Sequence, residues 1–319
     1  MNPGQVCGDV DMTENLRFSP DYDFDLGFEP TLRWANDNGM QGMVELCHGC
    51  GGCRGPQETA GGVMCPTFRA ADEEITSTRG RANALRQAMS GDLPADPTAD
   101  EFATEVLDLC IGCKGCARDC PSEVDMAKLK AEVTHERHRR HGPSLRDRLF
   151  ANVHRLTAWG STLAPVSNWL TGLPGSGVVA EKLLGVARER DVPEFASQSF
   201  TDWFAQRGPQ VDAAAATREA VLLPDPYTAY VEPGIARAAV DVLEALNVHV
   251  RVPTDVTASG RAAFSKGFLD LARDRVAANV EALEPDVEAG RDVVVLEPSD
   301  ATMYQSDALD LLGDEAVER

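Results

Sequence analysis

Eight of the nine cysteines fall into two copies of one pattern: Cys47, Cys50 and Cys53 followed by Cys65-Pro66, and Cys110, Cys113 and Cys116 followed by Cys120-Pro121. Thiols two residues apart can reach successive irons of one cubane as a loop turns, and a Cys before Pro ligates the other cluster in two-cluster ferredoxins. This spacing assigns Cys47, Cys50, Cys53 and Cys120 to one [4Fe–4S] cluster, and Cys110, Cys113, Cys116 and Cys65 to a second. Two cubanes need eight thiolates, and the two motifs supply eight. Gly49, Gly51, Gly52, Gly112 and Gly115 permit the tight loops and leave backbone N–H groups to point at sulfur. Four thiolates also suit tetrahedral zinc, so a pair of zinc sites in an interaction module is the alternative reading. Cys7 lies outside both motifs and reads as a spare thiol.

No other constellation carries comparable chemistry. His135, His138 and His141 recur at a helical spacing of three, but nothing nearby completes a metal shell, and a solvated helix end is the expectation. Arg79, Arg81 and Arg86 stand between the motifs, either facing anionic clusters or simply solvated. Gly172–Gly177 lacks both a preceding strand and a Gly-Lys-Ser/Thr ending, so it reads as a turn rather than a phosphate loop. There is no Ser-His-Asp order and no dinucleotide fingerprint, so catalytic residues for a substrate are not visible.

The elements that must position the thiols follow from periodicity. Residues 1–44 are rich in Asp, Gly, Pro and Asn without sustained period and read as an extended tether. Residues 45–142 form the cysteine module, with helices expected at 77–89, 100–109 and 124–141. The 44 residues between Cys65 and Cys110 leave room for two helices. Residues 143–217 form a helical connector in which Leu156, Trp159, Leu163, Val166, Leu170 and Leu173 share one face, interrupted by Pro165. That face is expected to pack against the neighbouring module, with a membrane interface as the alternative. From 218 to 319, apolar runs at 220–223, 248–252 and 292–296 alternate with helices near 234–246 and 262–283, a βαβαβ pattern that predicts a small parallel sheet. The fold class is therefore multidomain, α plus α/β.

With 30 basic and 51 acidic residues the net charge is −21, which excludes a phosphate-tracking nucleic-acid binder. So acidic a surface, with few lysines, predicts a halophilic source. No signal segment and no apolar run of about 18 residues is present, so the expectation is a cytoplasmic protein, peripheral at most at the inner face of a membrane. Residues 135–155 form a basic island of six arginines. It reads either as a docking surface or as arginines paired with the chain's own acids.

The segments LCHGCGGCRG, MCPTFRAADEEITSTRGRANALR, CIGCKGCARDCPSEVDMAKLKAE and HRRHGPSLRDRLF resemble the iron–sulfur part of FAD-linked D-2-hydroxyacid dehydrogenases of the D-lactate, D-2-hydroxyglutarate and glycolate type. They are also similar to the related iron–sulfur component of anaerobic glycerol-3-phosphate dehydrogenase. The resemblance implies an α-helical ferredoxin domain followed by a cysteine-rich α/β domain. It further implies electron transfer from a flavoprotein partner to a quinone or another carrier, with FAD held on a partner or detached domain. Met1-Asn2-Pro3-Gly4 is similar to the end of that family's flavin domain, so the FAD-binding part is expected to be absent here. The cysteine-rich domain is expected to be degenerate and half-length: Ala258-Ser259-Gly260 stands where the family has Cys-Cys-Gly, and Glu297-Pro298-Ser299-Asp300 where it has Glu-Pro-Ser-Cys. A remnant of a split gene is the remaining alternative.

Overall fold

The computed structural model describes residues 18, 21–35, 38–56, 62–190, 192–256 and 258–313. Cys7 and the first four residues lie outside them. The chain is mostly helical with one three-stranded parallel sheet. It divides into two compact units, Met1–Pro30 with Ala35–Leu129, and Thr31–Trp34 with Lys130–Arg319.

The first unit contains helices and loops only, among the described residues. Its longest complete helix, Thr78–Met89, starts where Ser77 accepts the Gly80 N–H, a serine cap that satisfies one free end donor. It packs against a short helix, Gly39–Glu45, in a stretch whose Gly- and Asn-rich sequence predicts only extended chain. Met40, Val44 and Leu85 are buried there, and this burial outweighs the poor propensity of the glycines. Asp100–Phe102 continues through a wider turn at Ala103–Leu107, which delivers the chain to Cys110.

In the second unit, β1 (Arg218–Leu223) lies between β2 (Val248–Arg251) and β3 (Asp292–Val295), in the order β2-β1-β3. Alternation along β1 sends Leu222 to one face, against Phe200, Phe204, Ala236 and Val240. Val221 and Leu223 go to the other face, against Leu283. The helix expected at 262–283 is two helices, Arg261–Ser265 and Leu269–Glu288, because Gly267 between them turns with φ 70°. A separate helical core gathers Phe264, Leu269, Ala272, Val276 and Met303 with Leu32, Ala131 and Ala151. Residues 31–34 are held there by Glu132. Its buried carboxylate accepts the N–H groups of Thr31 at 2.7 Å and Leu32 at 2.9 Å and the Trp34 indole N–H at 3.3 Å.

Three expectations are corrected. The connector breaks at Leu163, where Val153–Thr162 gives way to Ala164–Thr171 with Pro165 in its first turn, but its apolar face is not packed. Trp159 is 67 % exposed, Trp169 63 % and Leu163 60 %. An uncharged helical stripe looks the same in sequence whether it is covered or bare, and this one is bare. His135 and His138 are not a solvated helix end: His135 Nδ1 lies 3.0 Å from the Gly267 carbonyl, and His138 packs on Phe268. Arg81 and Arg86 are buried rather than solvated. In the basic island, Arg139 and Arg140 pair with Glu136, and Arg137 with Asp147. Arg146, Arg148 and Arg155 face no carboxylate within ion-pair distance among the described residues.

Candidate cluster sites

The eight motif cysteines lie in the first unit and line two cavities. Cys47, Cys50, Cys53 and Cys120 surround one, together with Thr78 and Arg79. Cys65, Cys110, Cys113 and Cys116 surround the other, together with Thr78, Arg81, Lys114 and Met126. Each set draws three thiols from one motif and the Cys-Pro thiol of the other.

Local backbone geometry explains how each thiol arrives. Gly49 and Gly51 take φ 80° and 78°, which curls the first loop into the short turn Gly52–Arg54 carrying Cys53. The second loop turns the same way at Gly112 (φ 66°) and Lys114 (φ 56°) before the helix Gly115–Asp119 presents Cys116. Lys114 is held in this rarer conformation beside Asp125, 3.5 Å away. Cys65, at φ 53°, caps the helix Pro66–Ala71, with Pro66 fixing the first helical φ. The two motifs are tied together by Asp119, whose carboxylate accepts the N–H groups of Val63 at 2.8 Å and Met64 at 3.1 Å. A side chain at Gly62 would collide with that carboxylate.

Around the sulfurs the donors are specific. The Thr78 N–H donates to Cys65 Sγ at 2.9 Å, and the Thr78 hydroxyl lies at the same distance. Arg81 is 2 % exposed and joins the walls of the second cavity, donating to the carbonyls of Val106 at 2.9 Å and Thr76 at 2.6 Å and to the Thr67 hydroxyl at 3.2 Å. Arg79 lines the first cavity while its guanidinium pairs with Glu74 at 2.8 Å.

The thiol protons report the same crowding. Its hydrogen bond with Cys65 pulls Cys53 below the ordinary thiol range, and the same bond, with burial, pushes Cys65 upward. Burial, reinforced by Asp125, pushes Cys116 up to about 12. Such buried, mutually opposed thiols ionise together only when cations offset the charge, as metal coordination does. Among the described residues no three His, Cys, Asp or Glu side chains converge closely enough for a single metal ion. Soft thiols spread around a cavity, with N–H groups beside them, are a donor set that suits an iron–sulfur cluster.

Arg79 and Arg81 stand at the cavities as one of their two sequence readings has it, whereas Thr78, Asp119 and Asp125 escape sequence reasoning as site-building residues. Only the Ser77 cap just before Thr78 gives a signal, and it marks the helix start rather than a sulfur contact.

Two sets of four thiols are what two iron–sulfur clusters require, and the comparisons point the same way. Residues 43–124, which hold all eight motif cysteines, match the family model described as a 4Fe-4S dicluster domain. The chain is 22 % identical to the D-2-hydroxyglutarate dehydrogenase of Haemophilus influenzae over 96 % of its own length and 33 % of that protein's. It is likewise 22 % identical to the D-2-hydroxyglutarate dehydrogenase of Escherichia coli, over 100 % of this chain and 35 % of that one. The chain thus spans about a third of the length of the curated relatives it matches. No solved structure gives a significant match.

Proposed function

We propose that this chain is an electron-transfer module with two [4Fe–4S] clusters, one held by Cys47, Cys50, Cys53 and Cys120, the other by Cys110, Cys113, Cys116 and Cys65. The observation that carries this reading is the pair of cavities, each lined by four thiols drawn from both motifs. When bound, such clusters take up and release single electrons. Thr78 then stabilises charge on the Cys65 sulfur through its N–H, and burial of Cys53, Cys65 and Cys116 excludes water from that side. Cys50 and Cys113 are the exposed thiols of the two sets, which makes their edges the natural points of electron entry and exit.

In this reading residues 45–142 are the ferredoxin domain, 143–217 a connector and 218–319 a degenerate relative of the cysteine-rich domain. Electrons come from FAD on a 2-hydroxyacid dehydrogenase, as a partner or separate domain, and leave toward a quinone or another carrier. The names of the relatives support the donor class. No helix among the described residues is long and apolar enough to cross a membrane. The exposed, uncharged run from Leu156 to Ala180 supports peripheral contact with the inner face of one.

Anaerobic reductive titration tests the function. Two electrons per chain, with an EPR spectrum of two coupled clusters, are expected; a colourless protein that accepts none would refute it.

A further inference from the structure

Within the second unit, two adjoining chambers of about 330 and 340 Å³ open at the carboxyl ends of the strands. Both are lined by His154, Asp225, Pro226, Ala258, Ser259 and Asp300. With strand order β2-β1-β3, the chain leaves β1 toward one side and returns on the other, so the crevice beyond β1 and β3 is the topological switch point where open α/β sheets bind ligands. The volumes are in the range of small-molecule sites.

The walls differ in chemistry. One is apolar, with Trp159, Leu223, Val256 and Val295. A second carries two cations, Arg155 and Arg275, beside the imidazole of His154, and neither arginine faces a carboxylate within ion-pair distance among the described residues, in a chain with 51 acids. Arg275 is only 7 % exposed, and its guanidinium donates to neutral oxygens, the Ala151 carbonyl at 2.9 Å and the Asn152 side chain at 2.7 Å. The third is a buried acid, Asp300, to which the Ser259 hydroxyl donates. The fold brings these two residues together across 41 positions.

We propose that this cleft binds the head group of a quinone, its ring on the apolar wall and its two carbonyl oxygens directed to the donors at either end, Ser259 with Asp300 and His154 with Arg275. A compact water-soluble anion would use the cations but leave the apolar wall and its exposed Trp159 rim unexplained. From that rim the uncharged surface of Leu163, Val166 and Trp169 continues, a path for an apolar tail. The inference rests on the reading that electrons leave toward a quinone, and it locates the acceptor.

Asp300 donates to a carbonyl only when protonated. Burial, with Asp225 and Glu297 nearby, raises its carboxyl to about 6, against the opposing Ser259 hydrogen bond and Arg261. His154 is lowered to about 4 by burial and the two arginines, and burial lifts Tyr304 to about 12, so both stay neutral from pH 5.5 to 8.

Equilibrium dialysis of the anaerobic holoprotein against radiolabelled menadione, a quinone without a long tail, tests the site. One saturable site per chain is expected. Its affinity should fall three- to tenfold between pH 5.5 and 8, and at least tenfold in Ala158→Trp, which fills the apolar chamber. Asp300→Asn, a donor at every pH, should bind with no pH dependence. No saturable binding by iron-replete protein, or unchanged binding by Ala158→Trp with its circular dichroism intact, would overturn the proposal. So would saturable binding of oxalate without menadione. Cys113→Ser separates this test from the electron-transfer reading: it should lose one cluster, about half of the iron and of the electron uptake, yet still bind menadione.

Discussion

Replacing Asp300 with Asn should stabilise the second unit, by an amount that depends on pH. The Asp300 carboxyl is 9 % exposed and is held at about 6 in the folded chain, against an ordinary value of 3.8. The folded state therefore keeps a proton that the unfolded chain releases, and Asp300 contributes stability below pH 3.8 that is lost as pH rises to 6. At about 1.36 kcal/mol per tenfold change in proton affinity, the burden reaches about 3 kcal/mol at pH 8 and about half of that at pH 5. Asn carries no charge to bury, and its carbonyl still accepts the Ser259 hydroxyl. Urea unfolding followed by tryptophan fluorescence isolates the effect, because Trp34, Trp159, Trp169 and Trp203 all belong to the second unit. The variant should gain about 3 kcal/mol at pH 8 and about 1.5 kcal/mol at pH 5. An equal gain at both pH values, or a loss, would refute the assignment of Asp300 as the titrating acid.

Three further outcomes follow from the geometry. Thr78→Val removes the hydroxyl beside Cys65 Sγ and keeps the N–H; in a redox titration followed by EPR, one cluster potential should fall while iron content stays unchanged. Arg81→Met leaves the Val106 and Thr76 carbonyls without their buried donor, so the first unit should lose about 3–5 kcal/mol, seen as earlier bleaching of cluster absorbance in urea. Vesicles of phosphatidylglycerol with phosphatidylcholine should carry the protein upward in flotation, and Trp159→Asp with Trp169→Asp should abolish that; equal flotation by the double variant would remove the connector from the account.

Some of this molecule is plain in its sequence, and the reason is chemical. Ligating thiols must recur at fixed short spacings, so the two motifs announce themselves. The alternation in Val221, Leu222 and Leu223 similarly exposes a strand with both faces covered. What stays hidden depends on partners far along the chain. His135 and His138 are buried by Gly267 and Phe268, more than 120 residues away, and Ser259 meets Asp300 only once β3 has joined the sheet. The bare connector face shows the opposite limit, since a helical apolar period records that a surface is apolar and not whether anything covers it.

The most direct test of the central claim is the content of iron, acid-labile sulfide and zinc in the anaerobically purified chain. The account predicts about eight iron and eight sulfide per chain. Stoichiometric zinc without sulfide would contradict it and leave a thiolate-zinc interaction module in its place.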